Sequence, residues 1–192
     1  MSTDTEATRP DTRERLLETA AELTYQSGVG IGVEALCKAA GVSKRSMYQL
    51  FDSKDELLAA SLEHRAARIH ASQIPPADAE LSPRERILYV FERLEEYALE
   101  SWYRGCPYLA VQVELKDAEH PASLVANRIK QELKRYFQQQ AELGGAADPE
   151  FLGRQLVLVF DGASARAGIG ADDLRGLATR TVAALLDAAG VR

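Results

Sequence analysis

Apolar side chains recur along this chain at three- and four-residue intervals, in runs separated by helix caps, glycines and prolines. This periodicity constrains the fold more than any other feature, because a helical stripe cannot also serve as one face of a strand. Leu16, Ala20 and Leu23, with Leu17 and Ala21 beside them, form the first stripe. Asp11 precedes it as a cap with Glu14 as the reciprocal partner of a capping box, and Gly28 and Gly30 end it. Ser82-Pro83-Arg84-Glu85 opens a later stripe of Ile87, Phe91, Leu94 and Ala98, with Glu92, Glu96 and Glu100 on a solvated face. His120-Pro121 opens another, with Val125, Ile129, Leu133 and Tyr136 at helical spacing, and Gly144-Gly145 stops it. Asp148-Pro149-Glu150 starts the next. A last helix is expected from about residue 172, carrying Leu174, Ala178, Val182, Leu185 and Ala189. Strand-type alternation is nearly absent, so the expected fold class is all-α.

Two segments depart from simple amphipathicity. Residues 156–160 are apolar on every side, so this helix is expected to be covered all round, and Gly162 and Ala163 let another helix approach closely. Residues 74–81 carry Pro75-Pro76 and read as a loop. The chain has 192 residues and a formal charge of −6, which argues against coating nucleic acid or anionic membrane through bulk charge. No stretch approaches the roughly 18 apolar residues of a membrane helix, and residues 1–10 are polar and read as a flexible terminus. Cys37 and Cys106 stand alone, without metal-ligand or redox spacing, so no metal or cofactor is expected. The expected location is the cytoplasm, and two reduced thiols are the better reading than a Cys37–Cys106 disulfide.

Residues 28–58 carry the functional signal. Two short helical segments, residues 33–40 and 44–50, are joined by Ala40-Gly41-Val42-Ser43, a helix-turn-helix arrangement. Gly41 accepts a positive φ, Val42 plugs the angle between the helices, and Ser43 caps the second. Met47, Leu50 and Phe51 are expected to turn inward. Lys44, Arg45, Ser46, Tyr48 and Gln49 are then left near the start or outer face, and these residue types meet phosphates and base edges. Ser53 and Glu56 form a further capping-box pattern before Leu57-Leu58. Over residues 33–54, Lys38, Lys44, Arg45 and Lys54 against Glu34 and Asp52 give 4 − 2 = +2, so the rest of the chain carries −6 − 2 = −8.

The run AlaGlyValSer-LysArgSer-MetTyrGlnLeuPhe-AspSerLysAspGluLeu resembles the TetR (tetracycline repressor-like) family of bacterial transcriptional regulators. The resemblance covers residues 11–58. Gly32 stands where the family often has a Thr or Ser cap, and Arg45 where it often has Gly. The resemblance implies a DNA-binding domain at 11–58 and a helical effector-binding and dimerisation domain at 59–192. It implies that Tyr48 and Lys54 contact phosphates and that Lys44, Arg45, Ser46 and Gln49 approach the major groove. Thr12 and Arg13 are implied to reach phosphate. It also implies a homodimer joined through its last two helices, residues 148–167 and 172–189, with Leu152, Leu156, Val159, Ala163, Leu177 and Leu185 as interface candidates. Two recognition helices must then stand about 34–36 Å apart, or a multiple of that, on double-stranded operator DNA.

The same resemblance implies a small-molecule effector, largely apolar, bound between the middle helices. Candidate pocket residues are Phe91, Tyr97, Trp102, Cys106, Tyr108, Gln112, Tyr136, Phe137 and Phe160, with Trp102-Tyr103 beside the Gly105-Cys106-Pro107 break as the foremost wall. Glu114 either meets a polar group or emerges to solvent. The expected function is a DNA-binding repressor released by its effector. The alternatives are a helix-turn-helix protein without an effector, or an activator. An enzyme is not expected: Cys106 and His120 lack a third orienting residue, and Gly168-Ile169-Gly170 lacks the rest of a phosphate-cradling motif.

Overall fold

The computed structural model describes residues 11–192, which form nine helices and, among those residues, no strand. The terminus at 1–10, read above as flexible, lies outside the described residues. In chain order the helices are α1 (Thr12–Ser27), α2 (Val33–Ala40), α3 (Lys44–Leu50), α4 (Lys54–Gln73), α5 (Pro83–Ala98), α6 (Pro107–Leu115), α7 (Pro121–Leu143), α8 (Pro149–Gly168) and α9 (Leu177–Ala189).

Three apolar clusters organise them. Leu16, Leu17, Leu36, Cys37, Met47, Phe51 and Leu57 bury one face each of α1, α2, α3 and the start of α4. A larger cluster joins α5, α7, α8 and α9 around Phe91, Phe137, Leu156, Phe160, Val182 and Leu186. Phe91 stacks on Phe137 at 5.5 Å and meets Phe160 edge-on at 6.2 Å. Between the two lies a small third cluster, Leu58 and Leu62 of α4 against Tyr108 and Val111 of α6 and Ala122 and Ala126 of α7. Helix α4 thus contributes Leu57 to the N-terminal core and Leu58 to the middle one, running unbroken past residue 58.

The caps explain most boundaries. Ser43, Ser53, Ser82 and Asp148 each accept from the backbone N–H three residues on. Ser82 and Glu85 form the complete capping box. At Asp11 the carboxylate makes no cap bond. Glu56 reaches the Asp52 N–H rather than that of Ser53 (2.6 Å).

Four expectations fail for identifiable reasons. Leu50 is exposed, because α3 ends there and its last side chain passes the edge of the core. In α7 the fully buried row is Ala122, Ala126, Phe137 and Ala141, while Val125, Ile129, Leu133 and Tyr136 are only half-buried at its flank. Helix α9 starts at Leu177, not 172, because Leu174 and Arg175 adopt left-handed backbone and Asp172 accepts from the Leu174 N–H in the turn. The N-cap, Gly176, has no side chain to offer. Glu95 of α5 therefore accepts from the Ala178 and Thr179 N–H groups at 2.8 and 3.2 Å. Finally, the chain by itself does not cover residues 156–160 all round: Leu158 is 73% exposed.

Candidate nucleic-acid interface and ligand cavities

The turn between α2 and α3 forms as its residues dictate. Gly41 sits at φ 64°, and the Val42 N–H returns to the Cys37 carbonyl at 2.9 Å. Ser43 Oγ accepts from the Ser46 N–H at 3.0 Å and lies 2.8 Å from Ser46 Oγ, so the Ser46 hydroxyl is engaged within the cap. Met47 anchors α3 at 0% exposure. This fixes Lys44, Arg45, Tyr48 and Gln49 on the opposite, exposed side.

Lys44 lies 3.4 Å from Glu34 in a well-exposed pair, which is worth at most about 1 kcal/mol and releases easily. Arg13 stacks over the Phe51 ring at 5.5 Å. Thr12 is half-buried at the start of α1. Lys54 is already bonded within the chain: its ammonium donates to the Val29 carbonyl at 2.6 Å. The Val29 N–H in turn donates to Glu114 of α6 at 2.8 Å. The Val29 backbone after α1 is thus held from α4 on one side and α6 on the other. Glu114, open in the sequence reading, has this partner.

The nine ligand candidates do not share one site. Cys106, Tyr108 and Phe160 line a cavity of about 360 Å³ among α4, α6, α7 and α8, together with Ile129, Lys130 and Leu133. Lys130 is nearly buried, ion-paired to Asp161 and set over the Phe160 ring at 5.1 Å. Burial pushes the Cys106 thiol and the Tyr108 phenol up, so both stay protonated at neutral pH. Tyr97 and Trp102 line a second cleft of about 400 Å³ between α1, α4 and the segment after α5. Tyr136 borders a third depression with Pro75 and Pro76, and Gln112 a shallow one on α6. Phe91 and Phe137 are core, at 0% exposure, because their row on α5 and α7 faces α8.

Two joints here have no sequence signal, since their partners lie about eighty positions apart in one and 43 in the other. The Arg104 N–H donates to Tyr25 Oη at 2.8 Å, and the Tyr25 O–H donates to the Gly105 carbonyl at 3.0 Å. Arg65 of α4 pairs with Glu22 of α1 at 3.0 Å.

Comparisons with known proteins agree with this architecture. A family model described as bacterial regulatory proteins, tetR family, matches residues 16–61. The crystal structure of a putative TetR transcriptional regulator from Streptomyces avermitilis is 67% identical. Its match covers 95% of this chain and 100% of that one, with a TM-score of 0.94. The chain belongs to the TetR family. Another TetR-family structure, reduced NemR of Escherichia coli, is 26% identical with a TM-score of 0.79, over 90% of this chain and 95% of that one. In sequence, the HTH-type transcriptional repressor NemR of Escherichia coli strain K12 is 34% identical over 113 residues. That match spans 57% of this chain and 57% of the repressor's length.

These TetR relatives are transcriptional regulators, and the chemistry of the chain agrees. His120 accepts from the Ala122 N–H at 3.1 Å and faces Asp55 at 3.4 Å, so both of its ring nitrogens already have partners. The elevated Cys106 thiol is the opposite of an activated one. Among the described residues, no helix is long and apolar enough to cross a membrane.

The TetR assembly candidates divide as the ligand candidates do. Leu152, Leu156 and Ala163 point into the chain's own core, against α5, α7 and α9, and Val159 and Leu185 are half-buried at its edge. Leu177 is 45% exposed. The outward face of α8 is carried by Phe151, Leu158, Gly162, Ala165 and Ile169, and that of α9 by Leu177, Thr181, Ala184 and Ala188. An all-apolar run cannot say which of its sides meets its own chain.

Proposed function

We propose that this TetR-family protein is a homodimeric repressor that binds a palindromic operator and is released by a small-molecule effector. Residues 11–58 are its DNA-reading unit and residues 59–192 its effector-binding and dimerising body. The observation that carries the reading is α3: a capped helix anchored by buried Met47, with Lys44, Arg45, Tyr48 and Gln49 all exposed on one side. Such a helix enters a major groove with its first residues at the base edges. Lys44 and Arg45 supply the charge, Tyr48 reaches phosphate, and Gln49 offers an amide to a base edge. Arg13 and Thr12 add contacts from the start of α1. Lys54 acts on DNA indirectly, by holding the Val29 backbone. The outward stripe of Phe151, Leu158 and Ile169 on α8, beside Leu177 of α9, is the dimer face, and the α4–α6–α7–α8 cavity receives the effector.

The test is a titration of DNA from around the protein's own gene with the parent protein and a Lys44→Ala/Arg45→Ala/Tyr48→Ala variant, over a range of salt. The parent binds one site with a steep salt dependence, because phosphate contacts release counterions. The variant, its melting temperature unchanged because none of the three side chains is in the core, loses that binding. Equal affinity for the two proteins would overturn the assignment.

A further inference from the structure

We propose that the cleft between α1, α4 and the segment after α5 is a second ligand site, and that it takes a planar aromatic carboxylate whose carboxylate replaces Glu22 on Arg65. The cleft encloses about 400 Å³, within the range of small-molecule sites. One wall is aromatic: Tyr97 and Trp102 are 5.8 Å apart, and Trp102 meets Tyr103 at 6.3 Å. Trp102 is 48% exposed and is the chain's single tryptophan. A half-exposed indole in a recess offers a stacking platform for a planar ligand. The opposite side is charged. Arg65 and Arg68 stand against Glu22, so the cleft carries a net +1 in a chain of net −6. An anion is the complementary ligand.

The state of Arg65 selects the anion. Its guanidinium donates to Glu22 through Nη2 at 3.0 Å, while its Nε–H is buried and has no acceptor among the described residues. Glu22 therefore satisfies one edge donor and leaves the other orphaned. A carboxylate arriving from the cleft can accept from Nε–H and Nη2–H together, the two-point geometry that guanidinium and carboxylate prefer. That gain favours exchange, since a buried unsatisfied donor is costly. Glu22 is half-exposed and returns to water at little cost. The ligand's ring then lies along Trp102. Exchange unties Glu22 of α1 from α4, so the site touches the N-terminal helices directly, apart from the α4–α6–α7–α8 cavity, and its existence does not depend on the DNA-binding reading.

Trp102 reports occupancy. Cinnamate titrated into the full chain should quench its fluorescence saturably, and the neutral isostere cinnamamide should not. Arg65→Met should weaken cinnamate at least tenfold. Glu22→Gln, which removes the competitor and leaves Arg65 in place, should tighten it severalfold and keeps the test decisive if Arg65→Met unfolds. Ala67→Phe, which fills the other cavity, should leave the affinity unchanged. Equal binding of acid and amide, absence of quenching, an unchanged or weaker affinity in Glu22→Gln, or loss of quenching in Ala67→Phe would each overturn the proposal. Each of these readouts is taken without DNA, so failure here is distinct from failure of operator binding.

Discussion

If the outward face of α8 is the proposed dimer interface, replacing Leu158 with Arg should separate the two protomers without unfolding either. Leu158 keeps 73% of its surface uncovered in the protomer. Full burial of a leucine is worth about 1.5–3 kcal/mol, so roughly 1–2 kcal/mol per copy remains to be gained by pairing. A two-fold axis makes each substitution count twice, giving about 2–4 kcal/mol for the dimer. At about 1.4 kcal/mol per tenfold, the dimer weakens by roughly 30- to 1000-fold. Arginine adds the cost of a desolvated charge, so this range is a lower bound. The assay is sedimentation velocity over a dilution series, with circular dichroism and urea melting as fold controls. Operator affinity should fall with the loss of dimer. A variant with the parent's helicity and the parent's dimer dissociation constant would refute the reasoning, because it would take the outward face of α8 out of the interface.

Gly168→Ala sets helix propensity against contact. The new Cβ falls 2.5 Å from the Arg104 carbonyl and the Gly105 nitrogen, which are backbone atoms and cannot yield cheaply. The propensity gain is at most about 1 kcal/mol and overpacking costs about 1–3, so urea melts should show a net loss of about 1–2 kcal/mol. Gly162→Ala meets nothing within 4 Å in the protomer and should gain up to about 1 kcal/mol, measured in the monomeric Leu158→Arg background. Glu34→Gln frees Lys44 from an exposed pair and should tighten operator binding up to about fivefold at low salt, converging on the parent at high salt; no gain at low salt would count against Lys44 at the DNA. For Glu22, the Arg65 hydrogen bond holds the carboxyl below its ordinary value of 4.5. Its contribution is therefore full at neutral pH and disappears as pH falls through that lowered value. Glu22→Gln should be less stable than the parent at pH 7, by well under 1 kcal/mol given its exposure, with the difference vanishing in strong acid. A difference that grows on acidification would have the wrong sign.

Local chemistry was legible and tertiary choice was not. Ser43, Ser53, Ser82 and Asp148 mark their helix starts because a cap and its N–H partner are three residues apart. Gly41 marks the turn because only its own φ is at issue. The α9 boundary failed for the converse reason: its cap is Glu95, 83 positions upstream of the Ala178 N–H it satisfies. Which face of an apolar helix points inward is likewise decided by neighbours. Leu156 and Leu158 are alike in sequence, yet one is at 0% and the other at 73% exposure.

The same limit explains the scattered ligand candidates. The resemblance implies one pocket for these aromatic residues, but adjacent turns of the helices that carry them face different neighbours. Phe91 looks into the core against α7 and α8, and Tyr97, less than two turns later, looks toward α4. Trp102 belongs to a cleft completed by Glu22 and Tyr25 of α1 and by Arg65 of α4, three stretches with no shared spacing. What the sequence does carry is the segregation of charge. The +2 of residues 33–54 stands against −8 elsewhere, of which residues 59–192 carry 16 − 19 = −3 and residues 1–32 with 55–58 carry 3 − 8 = −5, so the positive charge is confined to one short segment. In the proposed role, attraction to DNA is therefore local to α3 and its flanks, which gives a net-acidic protein site-directed affinity with little general affinity for nucleic acid.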